Sequence, residues 1–257
     1  MTSAPLCTSP PATPALTVVV SQSMYFPWCG LLDQVRMADI FVHYDDVQYA
    51  RGFFSRVQVK TEHGIKWLSV PLRDQHRGQS IDDCRIDHST DWRQKHRDVL
   101  RQAYRKAPFV GEMLAVVDRV FAEAHDSLGM LGRATIHALT DAFGLPTPRF
   151  LHSADLGIAG SSSQRLRDIT TALDGSVYLT GHGALNYLDH AIFDDRGIEV
   201  RYMDYAIGPW PQDHGDFTPF VTALDALAFL GPAAATALHS TTLHWSEALE
   251  RHRRLSA

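Results

Sequence analysis

Two polar clusters each follow a short apolar run, and both hold residue types that bind or deprotonate small molecules. Gln22 follows Leu16 to Val20, with Tyr25 and Trp28 just beyond; Asp45, Asp46, Gln48 and Tyr49 follow Ile40 to Tyr44. A carboxylate at a strand end can take a proton from an attacking amine or hold an ammonium group. A glutamine offers both a donor and an acceptor to a substrate amide, and Tyr and Trp supply aromatic walls with a polar handle. Asp45 and Asp46 are adjacent on extended backbone, so their side chains diverge: one faces any ligand space and the other caps a turn. The plainer alternative is that both solvate a strand end and that the aromatics are core. Arg56 and Lys60 share one face of a predicted strand, where a guanidinium fork and an ammonium could hold a carboxylate or phosphate. Exposed strand charges are the commoner explanation of such a pair.

Further along, Gly181-His182-Gly183 joins a predicted strand, Val177 to Thr180, to a predicted helix from Ala184 to Asp194. Backbone N–H groups at that helix start would bind an anion or an oxyanion. Asn186 and Tyr187, one turn in, would line the same mouth. The segment has neither the P-loop nor the dinucleotide pattern, and glycine turns of this kind often serve geometry alone. Among fourteen histidines His182 is the one placed to act. There is no H-E-x-x-H and no tight ligand spacing, so neither a metal nor another cofactor is expected. Cys29 beside Trp28 and Cys84 on a predicted strand read as small buried thiols and not as nucleophiles. With Cys7 they make three cysteines without C-x-x-C spacing, which points to a reducing compartment and to no disulfide.

The elements that must carry these residues follow from periodicity. Leu16 to Val20 and Ile40 to Tyr44 read as strands buried on both faces, and the helix between them starts near Pro27 and buries Leu31, Leu32, Val35 and Met37. Such a βαβ unit forces its strands parallel, and ligands bind beyond the carboxyl ends of parallel strands. Phe53 to Lys60 and Ile65 to Val70 alternate around His63-Gly64 as a hairpin. From Asp91 to Gly144 the pattern is helical. The α/β pattern returns at Phe150, followed by a serine-rich helix start at Ser161 to Ser163, the strand Val177 to Thr180 and a strand from Ile198 to Met203. Neither half has enough strands to bury both faces of a parallel sheet, so the two halves are expected to build one sheet with the helical middle covering it.

Composition sets limits on function. Against 29 acidic residues stand 24 basic ones, a net charge of −5 with no Lys/Arg block that could track a phosphate backbone, so no nucleic acid partner is expected. No apolar run reaches the roughly 20 residues of a membrane helix. The first residues, rich in Ser, Thr, Pro and Ala, read as a disordered leader over 1–15 and not as a signal peptide. A cytoplasmic α/β domain over 16–257 is the expectation.

The segment Gln22-Ser23-Met24-Tyr25-Phe26-Pro27-Trp28-Cys29-Gly30, then Asp45-Asp46-Val47-Gln48-Tyr49 and Arg56, resembles the opening of WbqC-like proteins. Later landmarks agree in order: Leu68 to Pro71, Trp92 with Tyr104, Arg165-Leu166, Tyr178 to Gly181, Tyr187-Leu188, Phe193 with Gly197-Ile198, Pro211-Gln212, Phe217 and Leu224-Asp225. The resemblance covers roughly Val18 to Gly231. Ser21 and Ser23 depart from it, because His and Pro usually flank that glutamine. The resemblance implies a role in surface-polysaccharide or specialised-metabolite biosynthesis, by transfer of an amino-acid or acyl group.

Taken together, these readings predict a mostly parallel α/β sheet built from N- and C-terminal segments, a helical middle insertion and a small antiparallel hairpin. The expected function is an acyl- or aminoacyltransferase that forms an amide on an amine of a small metabolite or amino sugar in a biosynthetic pathway, with a small-molecule amine or amino acid as substrate and a carrier protein or acyl thioester as donor. Gln22, Asp46 and His182 are its expected catalytic residues. Tyr25, Trp28, Asp45, Gln48, Tyr49, Arg56, Lys60, Gly181, Asn186 and Tyr187 are its expected substrate contacts. A hydrolase using the same pocket, and a non-catalytic binding or scaffold protein, are the alternatives.

Overall fold

Three consecutive valines, Val18 to Val20, form the middle strand of a sheet buried on both sides. In the computed structural model, which describes residues 15–256, strand β1 (Thr17–Ser21) sends Val18 and Val20 into one apolar cluster and Val19 into another. This is the alternation that a doubly covered strand requires. The leader expected over 1–15 lies outside the described residues except for Ala15, and Cys7 lies outside them too.

Six strands make the sheet, in the order β10-β9-β8-β1-β2-β7. They are β1, β2 (Ile40–His43), β7 (Arg149–His152), β8 (Val177–Thr180), β9 (Glu199–Asp204) and β10 (Thr241–His244). All pairings are parallel except β9 with β10. N- and C-terminal segments therefore share one sheet, as expected, and β10 is an added antiparallel edge strand. Strand β3 (Arg56–Thr61) and strand β4 (Gly64–Ser69) form the expected hairpin, while β5 (Leu72–Arg73) and β6 (Arg85–Ile86) make a two-residue ladder. Cys84 precedes β6 in a turn and is not on a strand.

Helix α1 (Cys29–Met37) and helix α4 (Leu128–Ala142) cover one face, through Leu31, Val35 and Ile136 against Val19, Phe41 and Leu179. The other face is covered by helices α5 (Ser162–Ala172), α6 (Ala191–Asp194) and α8 (Trp245–Ser256), through Leu166, Ile169, Phe193 and Ala248. Helices α2 (Trp92–Ala103), α3 (Val110–Ala122) and α7 (Ala223–Leu230) form a further core with the β3–β4 hairpin, on the outer side of α1 and α4. Of the middle helices it is α4 that supplies a side chain to the sheet core, where a fully buried aliphatic residue is worth about 1.5–3 kcal/mol. No helix of the described residues is long and apolar enough to cross a membrane.

The helix expected over Ala184 to Asp194 is broken. A 3₁₀ turn (His182–Asn186) comes first and α6 starts only at Ala191. Asp189 Oδ1 accepts the Ala191 N–H at 3.2 Å, a local bond that competes with helix continuation.

The connection from β1 runs through α1 on one face, whereas that from β8 runs through α6 on the other, although β1 and β8 are neighbours. Such a reversal leaves a crevice beyond the strand ends, where ligands of open α/β sheets bind.

Candidate functional site

A cleft of about 1290 Å³ opens at that position. The ends of β1 and β2 give it Gln22, Tyr44, Asp46 and Gln48, and the end of β8 gives it Gly181, His182 and Tyr187. Trp28, Tyr205 and Phe220 close one side, and the start of α5 adds Ser161, Ser162 and Arg165. Of the expected residues, Gln22, Trp28, Asp46, Gln48, Gly181, His182 and Tyr187 are thus brought together.

The other expected contacts point elsewhere. Tyr25 is 1% exposed and bonds His96 Nδ1 through its hydroxyl at 2.9 Å, inside the core built by α2 and α3. Tyr49 bonds Ser55 at 2.7 Å. Arg56 stacks its guanidinium 4.4 Å above Trp67. Lys60 is buried and donates to Gln212 Oε1 and to the carbonyls of Gly215 and Asp216, fastening that segment to the hairpin. Asn186 is exposed at the end of the 3₁₀ turn and is not among the cleft-lining residues. A 3₁₀ turn takes the place of the expected helix start there, and its first internal bond runs from the Ala184 N–H to the Gly181 carbonyl at 3.2 Å.

Asp46 meets Arg165 from α5 in a fork, Nη1 to Oδ1 at 3.2 Å and Nη2 to Oδ2 at 2.5 Å, and Ser153 donates to Oδ1 at 2.5 Å. Burial pushes the Asp46 pKa up, but the Arg165 and Ser153 bonds outweigh it and hold the group below the usual carboxylate range. Both oxygens are occupied by donors and the anion is stabilised. Asp46 is therefore a poor proton acceptor.

His182 lines the same cleft. Its Nε2 lies 2.7 Å from the Met203 carbonyl oxygen, which can only accept, so in the neutral ring Nε2 carries the proton and Nδ1 the lone pair. The ring meets Tyr205 edge-on at 5.1 Å. Tyr205 accepts from Gln34 Nε2 at 2.7 Å, and burial pushes its phenol up to about 12, against the Gln34 bond that lowers it. Gly181 lies close under this pair: a Cβ would stand 2.9 Å from the Tyr205 hydroxyl and 3.3 Å from Gln34 Nε2, so those side chains would have to shift. Gly30 serves Trp28 in the same way, because a Cβ there would lie 2.3 Å from the indole folded over the start of α1.

Asp45 faces away from the cleft, toward α4. Its Oδ1 accepts the Ser23 N–H at 2.7 Å, and its Oδ2 accepts the Ser23 hydroxyl at 2.8 Å and Arg133 Nη1 at 2.8 Å. The Ser23 hydroxyl, whose hydrogen points to Asp45, accepts from His43 Nδ1, and His43 Nε2 in turn accepts from the Nε2–H of His137. One-way donation thus fixes both tautomers, from exposed His137 to buried Asp45. Burial first, then the nearby His137 and Arg133, hold His43 down to about 2, so it stays neutral. Asp45, Asp82 and His152 have ligand atoms within 4.8 Å of one another, the spacing of a metal site. Arg133 Nη1 already stands among them, 2.7 Å from Asp82 and 2.8 Å from Asp45, and supplies the positive charge a metal would bring. The arrangement fits an internal ion cluster better than a metal centre.

These positions match a known set of sequences. The family model described as the WbqC-like protein family matches residues 22–237, a span that takes in the cleft from Gln22 to Phe220. The chain belongs to the WbqC-like family. It is 32% identical over 221 residues to the uncharacterized protein Rv1507c of Mycobacterium tuberculosis, an overlap covering 84% of this chain and 95% of that protein. No solved structure matches it.

The two departures from the WbqC-like opening lie in different places. Ser21 lines the cleft, whereas Ser23 is buried in the Asp45 cluster. A proline at position 23 could give Asp45 neither the N–H nor the hydroxyl bond that Ser23 gives. Arg165, Ser153, Tyr44, Tyr205 and Phe220 of this WbqC-like chain were not among the expected site residues. The one legible sign was Arg165, a charged side chain beside the buried Leu166 and Ile169 on the apolar side of α5.

Proposed function

We propose that the cleft transfers an acyl or aminoacyl group to an amine of a small metabolite or amino sugar, forming an amide within a cytoplasmic biosynthetic pathway. The observation that carries this reading is His182, whose tautomer leaves Nδ1 as a proton acceptor in the cleft wall. In the transfer, the amine nitrogen attacks the carbonyl carbon of an acyl thioester. The C–N bond forms, the C–S bond breaks, and the amine proton passes through His182 Nδ1 to the leaving thiolate. Gln22 and Gln48 hold the amide being formed, and the Asp46–Arg165 pair fixes the rim against which the acceptor sits.

Size favours transfer over hydrolysis. A pocket for one drug-sized ligand spans about 300–1000 Å³, and 1290 Å³ leaves room for donor and acceptor together. The donor is a thioester on a carrier protein or on coenzyme A, whose uncharged pantetheine arm enters the cleft while its phosphates stay outside. The test is to incubate the protein with an N-acetylcysteamine thioester and a panel of amines and to follow products by mass spectrometry. Amide is the expected product. Free acid alone would point to the hydrolase, and an unchanged thioester to a binding or scaffold protein.

A further inference from the structure

Among the described residues, the carboxylate and guanidinium lining the cleft, Asp46 and Arg165, are spent on each other, and no lysine lines it. The cleft tyrosines include Tyr44 and Tyr187, whose phenols burial holds up and keeps protonated at neutral pH. With the carboxamides of Gln22 and Gln48 they act as both donors and acceptors. A ligand here finds no free charge to answer a phosphate or a carboxylate. It does find hydrogen-bonding partners suited to hydroxyl groups, which donate and accept in the same way.

The opposite side is aromatic and curved. Tyr205 and Trp28 have centroids 5.0 Å apart with planes tilted by 49°, and Trp28 and Phe220 are 6.2 Å apart with a tilt of 34°. Phe220 is 65% exposed, a large apolar surface left at the rim. A flat base is best held in a slot between parallel rings. A wall of successively tilted rings instead follows the C–H face of a puckered saturated ring.

From these two sides we infer that the cleft seats a polyhydroxylated saturated ring without phosphate or carboxylate, its C–H face on Trp28 and Phe220 and its hydroxyls toward Gln22, Gln48 and the tyrosines. The inference rests on the cleft being the substrate site of the reaction proposed above, and names the body that carries the acceptor amine.

Calorimetry with methyl 2-amino-2-deoxyglucoside, methyl glucoside, uridine and serine tests it. Both glycosides should bind, more tightly than uridine or serine, and Phe220→Ala and Trp28→Leu should each weaken them tenfold or more. Phe220 is exposed, so its variant reads binding even if Trp28→Leu misfolds. Tighter binding of uridine or serine, no glycoside binding, or glycoside binding unchanged in Phe220→Ala would overturn the inference. Glycoside binding without amide formation would leave it standing and remove the transferase reading. Amide formation on serine without glycoside binding would do the reverse.

Discussion

Asp45 and Asp46 are consecutive, yet each is held by its own arginine: Arg133 of α4 sits 2.8 Å from Asp45, and Arg165 of α5 sits 2.5 Å from Asp46. Extended backbone at the end of β2 sends the two side chains apart, and helices on opposite faces of the sheet meet them. One pair borders the cleft and the other is walled in behind it.

At the cleft, Arg165→Met should destabilise the protein by about 2 kcal/mol in urea unfolding, because Asp46 loses its main counter-charge while only partly exposed. Arg165→Lys should recover part of that, since an ammonium restores the charge and not the fork. The Asp46 pKa is lowered in the fold, so its contribution is present above the ordinary carboxylate value near 3.9 and disappears as pH falls through the lower folded value. Asp46→Asn should lose that acid-side slope. An identical acid-side slope in wild type and Asp46→Asn would show that the fork does not stabilise the carboxylate.

Behind the cleft, Arg133→Ala should cost about 3–5 kcal/mol, because fully buried Asp45 would be left without a cation. The same variant frees Asp45, Asp82 and His152, so zinc should raise its melting temperature and leave that of the wild type unchanged. Stabilisation of the wild type by stoichiometric zinc would mean that Arg133 yields its place to metal in the native protein.

A third titrating group lies away from both. Asp225 is 1% exposed and accepts from Trp210 and Gln212 through one oxygen; burial, against those bonds, raises it to about 6. A raised folded pKa means that the carboxyl is accommodated when protonated and penalised when ionised. Between pH 4 and 7 the wild type should therefore lose about 3 kcal/mol relative to Asp225→Asn, whose oxygen can still accept both bonds. Parallel stability curves for the two proteins across that range would refute the assignment.

The sheet was legible because Val18 to Val20, Ile40 to Val42 and Val177 to Thr180 are short apolar runs flanked by turn residues, and a run covered on both faces has few other uses. Strand β10 was not legible. Thr241–His244 is partly exposed and polar, the pattern of an edge. Strand-end position placed Gln22, Asp46 and Gly181 on the cleft lining, while direction was not legible: Tyr25 turns into the core and Lys60 into a carbonyl cage. Arg165 comes to Asp46 from 119 residues away, a distance that no local pattern spans.

The most direct test of the account is amide formation by His182→Gln beside the wild type, with an N-acetylcysteamine thioester and methyl 2-amino-2-deoxyglucoside. Glutamine can still donate an N–H to the Met203 carbonyl and so should leave the fold and glycoside affinity in place, but it offers no basic nitrogen. Wild type should make amide, and the variant should be slower by about 10²–10⁴-fold, the usual worth of a general base. Equal rates in the two proteins, with the fold of each intact, would contradict the role of His182 and the cleft chemistry built on it.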